Sequence, residues 1–231
     1  MTEVTISAAD GGQFSAYVAR PARTPAAGLV VIQEIFGVNT VMRELCDDYA
    51  AQGFLAVCPD LFWRQKPGVQ LTDKTQEEWN QAFAYMNGMD QDKAVEDLQA
   101  TVTWLRGQGD CTGKVGSVGY CLGGRLAFMM ATRSDADANV GYYGVGLGGM
   151  LGEVPRITRP LLLHIAELDK FSTPEERDQV VAGVAGNGRI TAKVHPGVNH
   201  AFARPGGEHW DAATAADANT RTIDFFRTHL G

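Results

Sequence analysis

Hydrophobic and polar positions along the chain change period several times, and each change predicts an element. Residues 3–8 and 13–20 alternate around Asp10-Gly11-Gly12, a turn signal, and read as a hairpin at one edge of a sheet. Gly28 to Gln33 is a short continuous apolar run, the pattern of a strand buried on both faces. From Thr40 to Gln52 the period turns helical, with Val41, Leu45 and Tyr49 on one face and Gly53 as the stop. Phe54 to Cys58 is a second buried strand, stopped by Pro59, and residues 60–73 carry no period. Residues 75–87 and 90–107 read as helices, the second with Ala94, Leu98, Val102 and Leu105 on one face. Strand 114–118 and helix 122–133 follow, then strand 139–143 and a glycine-rich loop, 144–152. Strand 160–166 leads to a helix with Thr173 as N-cap and Pro174 at its first position, running to about Val184. Residues 190–195 alternate as a strand, and a final helix spans about 210–229.

Strands that alternate with helices after a hairpin predict an α/β fold. The expected architecture is a mostly parallel central sheet with helices on both faces, right-handed crossovers and an N-terminal antiparallel hairpin. No repeat or linker interrupts residues 1–231, so one domain is expected. Ligand chemistry in such sheets belongs at the carboxyl ends of the strands.

Bulk numbers narrow the function classes. The composition, 45% hydrophobic and 20% charged, is that of an ordinary globular protein. A net charge of -7 without a basic stripe argues against nucleic acid as a partner. No apolar run approaches a membrane span. Met1-Thr2-Glu3-Val4 shows neither the basic nor the apolar region of a signal peptide. Cys46, Cys58, Cys111 and Cys121 lack CxxC spacing and read as reduced thiols of a cytoplasmic protein, with no metal or cofactor expected.

The most informative stretch is Val115-Gly116-Ser117-Val118-Gly119-Tyr120-Cys121-Leu122-Gly123-Gly124, where a strand meets a helix at a Gly-x-Cys-x-Gly turn. That is the nucleophile elbow of the α/β-hydrolases, with Cys in place of Ser. Taken alone it also reads as a glycine-rich turn around a small buried thiol. Three other candidates fall just past strand ends: Glu34, Asp169 and His200. Singly, Asp169 reads as a turn residue and His200 as a loop residue. Together, nucleophile, acid and histidine stand in the α/β-hydrolase chain order. His200 is then the base that ionises Cys121 and later the acid for the leaving group. Asp169 holds the imidazole tautomer. The backbone N–H groups of Leu122 and Ile35 are the expected oxyanion hole. His164, inside an apolar strand, reads as a satisfied core residue, and His195, His209 and His229 have no evident partner.

At these positions the chain resembles the dienelactone hydrolases, or carboxymethylenebutenolidases. The matching stretches are Gln33-Glu34-Ile35-Phe36-Gly37, Gly119 to Gly124, Gly141-Tyr142-Tyr143-Gly144-Val145-Gly146 and Gly197-Val198-Asn199-His200-Ala201-Phe202-Ala203-Arg204, with Leu61-Phe62-Trp63-Arg64-Gln65 and the last helix beside them. The resemblance implies hydrolysis of an enol lactone, dienelactone to maleylacetate, through an acyl-enzyme on Cys121 in the breakdown of aromatic compounds. It implies that Glu34 takes the thiol proton when substrate binds and that Arg204 is its neighbour and clamps the substrate carboxylate. A thiol kept neutral until then escapes oxidation. Tyr142 and Phe36 are implied to line the substrate pocket, and a monomer is implied.

One departure bears on the substrate. Relatives carry an arginine and a tyrosine on the helix after the Trp63-Arg64-Gln65 loop, where Trp79 and Phe83 stand here. Losing that cation costs about 1.5–3 kcal/mol of charge-assisted contact, unless Arg64 or Lys66 replaces it. Either Trp79 and Phe83 wall the pocket for a less anionic or bulkier lactone or ester, or both simply pack. Two other classes compete: a non-catalytic relative that binds a small carboxylate, and a thiol redox protein. A sensor has no need of nucleophile, base and acid together, and no resolving Cys accompanies Cys121.

Overall fold

The computed structural model describes residues 2–231. Eight strands and six α-helices follow in sequence: β1 (Thr2–Ser7), β2 (Gln13–Ala19), β3 (Ala26–Ile32), α1 (Thr40–Ala51), β4 (Leu55–Pro59), α2 (Gln76–Asn87), α3 (Gln91–Arg106), β5 (Cys111–Tyr120), α4 (Leu122–Arg133), β6 (Ala138–Tyr142), β7 (Leu161–Ala166), α5 (Pro174–Val184), β8 (Ile190–His195) and α6 (Ala212–Leu230). The strand order is β1-β2-β4-β3-β5-β6-β7-β8. The chain divides into two compact units, Met1–Ser117 and Val118–Gly231, and the division falls inside β5.

In the first unit, β1 and β2 form the expected hairpin, in register from Thr2↔Val18 to Ser7↔Gln13, and β2 runs antiparallel to β4. From β3 onward pairing turns parallel. The β3 run Leu29-Val30-Val31-Ile32 has no exposed surface, which is why it reads as an unbroken apolar stretch. Helix α3 turns Ala94, Leu98, Val102 and Leu105 inward, while α2 buries only Ala82. In the second unit β6, β7 and β8 pair in parallel. Helix α4 is buried along most of its length, and α5 starts on its Thr173 cap, whose hydroxyl accepts the Glu176 N–H.

Several boundaries differ by a residue or two from the sequence pattern, β3 for instance starting at Ala26, and three differences are instructive. Pro59 is the last residue of β4, not the first beyond it, and lies opposite Ala16. β5 begins at Cys111, so Cys111 is a strand residue; the first four positions alternate between half-buried and exposed and lack the apolar run of the buried part. The expected glycine loop 144–152 contains the start of a 3-10 helix, Leu147–Arg156, with Leu147, Met150 and Val154 buried. Glycine content hid that three- and four-residue spacing.

The irregular segment after β4 is held by buried charge. Asp97 on α3, 1% exposed at its side chain, accepts hydrogen bonds from Trp63 Nε1 (2.8 Å) and Arg64 Nη2 (2.8 Å). Arg64 also pairs with Asp10 at 2.6 Å and lies over the Trp63 ring. Burial pushes the Asp97 carboxyl up, and the Trp63 and Arg64 bonds pull it back. Arg64→Ala leaves Asp97 buried with one of its two side-chain donors, at a cost of about 3–5 kcal/mol. Urea unfolding checks this; a change under about 0.5 kcal/mol, the scale of an ordinary surface substitution, contradicts it.

Candidate active site

The turn between β5 and α4 is built by exclusion. A Cβ at Gly119 would overlap the Gly123 carbonyl, and a Cβ at Gly124 would overlap the Tyr142 carbonyl on β6. Only glycine lets the strand and helix close so tightly. Cys121 occupies the turn at φ 57, ψ -114, a conformation that costs a non-glycine residue about 1–3 kcal/mol. It persists because its N–H donates to the Tyr142 carbonyl (3.1 Å) and its own carbonyl accepts from Arg125 N–H (3.1 Å). The Leu122 N–H opens α4, where no intrahelical acceptor is available to it.

Asp169 lies on the loop after β7 and His200 on the loop after β8. The carboxylate accepts from His200 Nδ1 at 2.8 and 3.0 Å, and its Oδ1 also accepts the Phe171 N–H at 2.9 Å. Asn199 ties the two loops: its Oδ1 accepts both the His200 N–H (2.7 Å) and the Lys170 N–H (3.0 Å). The rings of Phe171 and Tyr143 stand edge-on to the imidazole at 4.7 and 5.1 Å. With Nδ1 committed to Asp169, Nε2 is the nitrogen available to Cys121; it is buried and makes no hydrogen bond of ordinary geometry. Catalytic bonds often stay long until substrate binds.

Burial opposes a charge on His200, but the Cys121 sulfur and then the Asp169 carboxylate outweigh it and raise the pKa to about 10. The Asp169 carboxylate, bonded to Nδ1, favours the charged ring.

The structure therefore gathers Cys121, Leu122, Asp169 and His200 in the second unit. Arg204, 9% exposed, lies on the same loop as His200, its N–H donating to the Ala201 carbonyl. The Tyr142 ring has no exposed surface, and its hydroxyl bonds Asn219 (3.0 Å) and Thr222 (2.6 Å), while its carbonyl supports the elbow. Tyr143, next in sequence, is the tyrosine beside His200.

In the first unit the loop after β3 carries Glu34, Ile35 and Phe36, all buried. Gln33 braces it, donating to the Glu34 carbonyl (3.3 Å) and accepting the Leu61 N–H (3.0 Å). Phe36 meets Trp79 edge-on at 5.0 Å, and Trp79 meets Phe83 at 5.6 Å. The Trp79 Nε1–H is spent on the Asp73 carbonyl. Arg64 is engaged by Asp97 and Asp10 and is no spare cation.

Sequence reasoning missed Gln33, Tyr143, Phe171 and Asn199. Gln33 was visible as a polar residue ending an apolar strand; Asn199 had no signal beyond its place before His200. His195, without a partner in sequence, bonds His164, which is indeed a satisfied core residue.

A strand–Cys–helix elbow followed by an acid and a histidine at successive strand ends, in a mostly parallel sheet, is the framework of the α/β-hydrolases that cleave ester or lactone bonds. This chain is such a hydrolase, and it belongs to the dienelactone hydrolase family, whose profile matches residues 14–230. It is 60% identical, over the whole of both chains, to a protein of Azospirillum brasilense provisionally named a carboxymethylenebutenolidase. It is 40% identical to the carboxymethylenebutenolidase of Pseudomonas putida, covering 96% of this chain and 94% of that one. A crystal structure from Klebsiella pneumoniae, provisionally assigned as a dienelactone hydrolase, superposes with a TM-score of 0.86 at 23% identity, covering 98% of each chain, and shows the shared fold. Among the described residues no cluster of side chains suits a metal ion, and no helix is long and apolar enough to cross a membrane.

The His200 shift has a pH sign. Its pKa is raised from 6.5 to about 10, so the stability it contributes is fully present below about 6.5 and is lost as pH rises through about 10. Imidazole NMR is expected to show His200 protonated at pH 8 and its pKa lowered in Cys121→Ala and in Asp169→Asn. A His200 pKa near 6.5 in the unaltered protein contradicts the charge arrangement.

Proposed function

We propose that this protein hydrolyses an enol lactone of the dienelactone type to a maleylacetate-type product, with Cys121 as nucleophile. The single observation that carries the proposal is the pairing of His200 with Asp169 at 2.8 Å while Cys121, held at the strained elbow, acts on the same imidazole. The ionised sulfur adds to the lactone carbonyl. The ring C–O bond then breaks, its electron pair stays on the enol oxygen, and the His200 imidazolium supplies the proton. The enol becomes a ketone. Water, losing a proton to His200 Nε2, adds to the thioester and expels the Cys121 thiolate. One water is consumed per lactone opened.

The N–H groups of Leu122 and Ile35 receive the oxyanion, Arg204 the substrate carboxylate, and Glu34 the thiol proton when substrate binds. The relatives' names support the lactone, and aromatic-compound breakdown is the setting in which such a lactone arises. We also propose that residues 1–231 act as one domain. The division between compact units falls within a continuous strand, and the family profile spans it. A cytoplasmic monomer remains part of this reading.

A second reading, a less anionic or bulkier lactone or ester, has one observation in its favour. Phe36, Trp79 and Phe83 form a continuous aromatic cluster, and Arg64 is committed to carboxylates elsewhere.

Turnover of cis- and trans-dienelactone and of p-nitrophenyl acetate tests the first reading. Activity is expected to vanish in Cys121→Ala, and mass spectrometry of a quenched reaction is expected to show an acyl group on Cys121. Retained turnover in Cys121→Ala removes the proposal. For Glu34, thiolate absorbance near 240 nm is expected to rise when a carboxylate ligand binds. A full thiolate signal in the free protein leaves Glu34 without that role. Trp79→Arg is expected to lower KM for dienelactone about 10-fold or more, the scale of one charge-assisted contact. An unchanged KM assigns both aromatics to packing.

A further inference from the structure

Beneath the elbow runs a buried polar chain that the proposed mechanism does not use. His195 Nε2 meets His164 Nδ1 at 2.9 Å, His164 Nε2 meets Thr222 Oγ1 at 3.1 Å, and Thr222 Oγ1 meets the Tyr142 hydroxyl at 2.6 Å. The Tyr142 hydroxyl then donates to Asn219 Oδ1 at 3.0 Å. The chain crosses from the end of β8 through β7 and α6 to the end of β6. His164, Tyr142 and Thr222 have no exposed surface, and His195 is 2% exposed.

Each hydroxyl carries one hydrogen, so the last bond orients all the others. Tyr142 spends its hydrogen on Asn219. Thr222 must therefore donate to Tyr142, and its oxygen accepts from His164 Nε2–H. His164 Nδ1 is then bare and accepts from His195 Nε2–H. Every bond points the same way, which polarises and strengthens the series. A proton added to His164 leaves that ring without an acceptor, so the bond survives only if His195 moves its hydrogen from Nε2 to Nδ1 and the one-way order breaks there.

The backbones of the same residues hold the candidate catalytic groups. The Tyr142 carbonyl receives the Cys121 N–H, the His164 carbonyl receives the Tyr143 N–H at 2.7 Å, and the His195 carbonyl receives the Glu167 N–H at 3.0 Å. Glu167 opens the loop that leads to Asp169. The Tyr142 ring stacks on Tyr120, the residue before Cys121, at 4.7 Å, and the His195 ring lies 5.0 Å from Phe202, just past His200.

We infer that His164, with His195 and Thr222, is a positioning residue: the one-way chain of neutral hydrogen bonds fixes β6, β7 and β8 against one another and so sets Cys121, Asp169 and His200 in register. The assignment rests on the reading of Cys121 as the nucleophile. Burial, then the neighbouring His195 and Arg221, hold the His164 pKa down at about 3, and burial also lowers that of His195. The charged groups acting on the pair are Lys193 on β8 and Asp217 and Arg221 on α6, with Asp217 opposing the other two. Both imidazoles stay neutral at neutral pH, as the chain requires. Because their folded pKa values are depressed, the chain's stability is present above about 6.5 and is lost as pH falls toward 3.

Nitrogen NMR of the labelled protein reads the tautomers directly. His164 and His195 are each expected with Nε2 protonated and Nδ1 bare; His164 with Nδ1 protonated overturns the chain. His164→Phe keeps the ring and removes both bonds, His164→Gln keeps a donor and an acceptor, and Thr222→Val cuts the next link in case the Phe variant folds poorly. In Thr222→Val and folded His164→Phe, kcat is expected to fall by up to about 100-fold, the scale of a small misplacement of reacting groups. KM should stay within about twofold, and His164→Gln should recover most of the loss. The rate of Cys121 alkylation by iodoacetamide and the His200 pKa should change in parallel, with no substrate present. Unchanged kcat, alkylation and His200 pKa in Thr222→Val overturn the inference, as does a loss of activity that only tracks the unfolded fraction. Failure of the underlying reading is distinct, because it shows as turnover surviving Cys121→Ala.

Discussion

The backbone at Cys121 is the constraint on which the second unit depends. A residue with a Cβ is held at positive φ between a strand and a helix, and it has to be held there by its surroundings. Gly119 and Gly124 remove the side chains that would keep the elements apart. The Tyr142 carbonyl then receives the Cys121 N–H, so the elbow is only as well placed as the end of β6. That dependence passes along the sheet: β6 pairs with β7, and β7 with β8. The loops that follow those strands carry Asp169 and His200, joined through Asn199. Strain at one residue is tolerated because three strand ends are fixed together.

Two histidines in the same unit show how environment sets chemistry. His200 and His164 are both buried, yet one pKa rises to about 10 and the other falls to about 3. Desolvation acts in the same direction on both. The difference is the neighbour: His200 lies between the Cys121 sulfur and a carboxylate, whereas His164 faces a second imidazole and a hydroxyl. An anion rewards the charged ring, and burial without one penalises it. One histidine is suited to carry a proton during turnover and the other to remain neutral throughout.

The first unit contributes a braced loop and an aromatic surface. Gln33 pins the turn that presents Glu34, Ile35 and Phe36, and α2 sets Trp79 and Phe83 next to Phe36. Arg64, which sequence proximity offered as a second cation, is consumed by Asp97 and Asp10. Its role is to neutralise a buried carboxylate.

The sequence by itself determined the α/β architecture, the elbow and the acid–histidine order. Those features rest on local signals: apolar runs for strands buried on both faces, a three- to four-residue rhythm for helices, and glycines where a Cβ cannot fit. Even the misplaced boundaries are local, since the start of β5 is half-exposed and glycines hide the 3-10 helix. The tertiary structure decided which polar residues meet. Tyr142 and Tyr143 are adjacent in sequence, yet strand alternation sends the first beneath the elbow and the turn sends the second toward His200. His164 and His195 are 31 positions apart and neither carries a motif; only the pairing of β7 with β8 makes them partners. Long-range register has no signature in a single chain's periodicity, so the buried histidine chain under Cys121 became visible only when the strands were laid side by side.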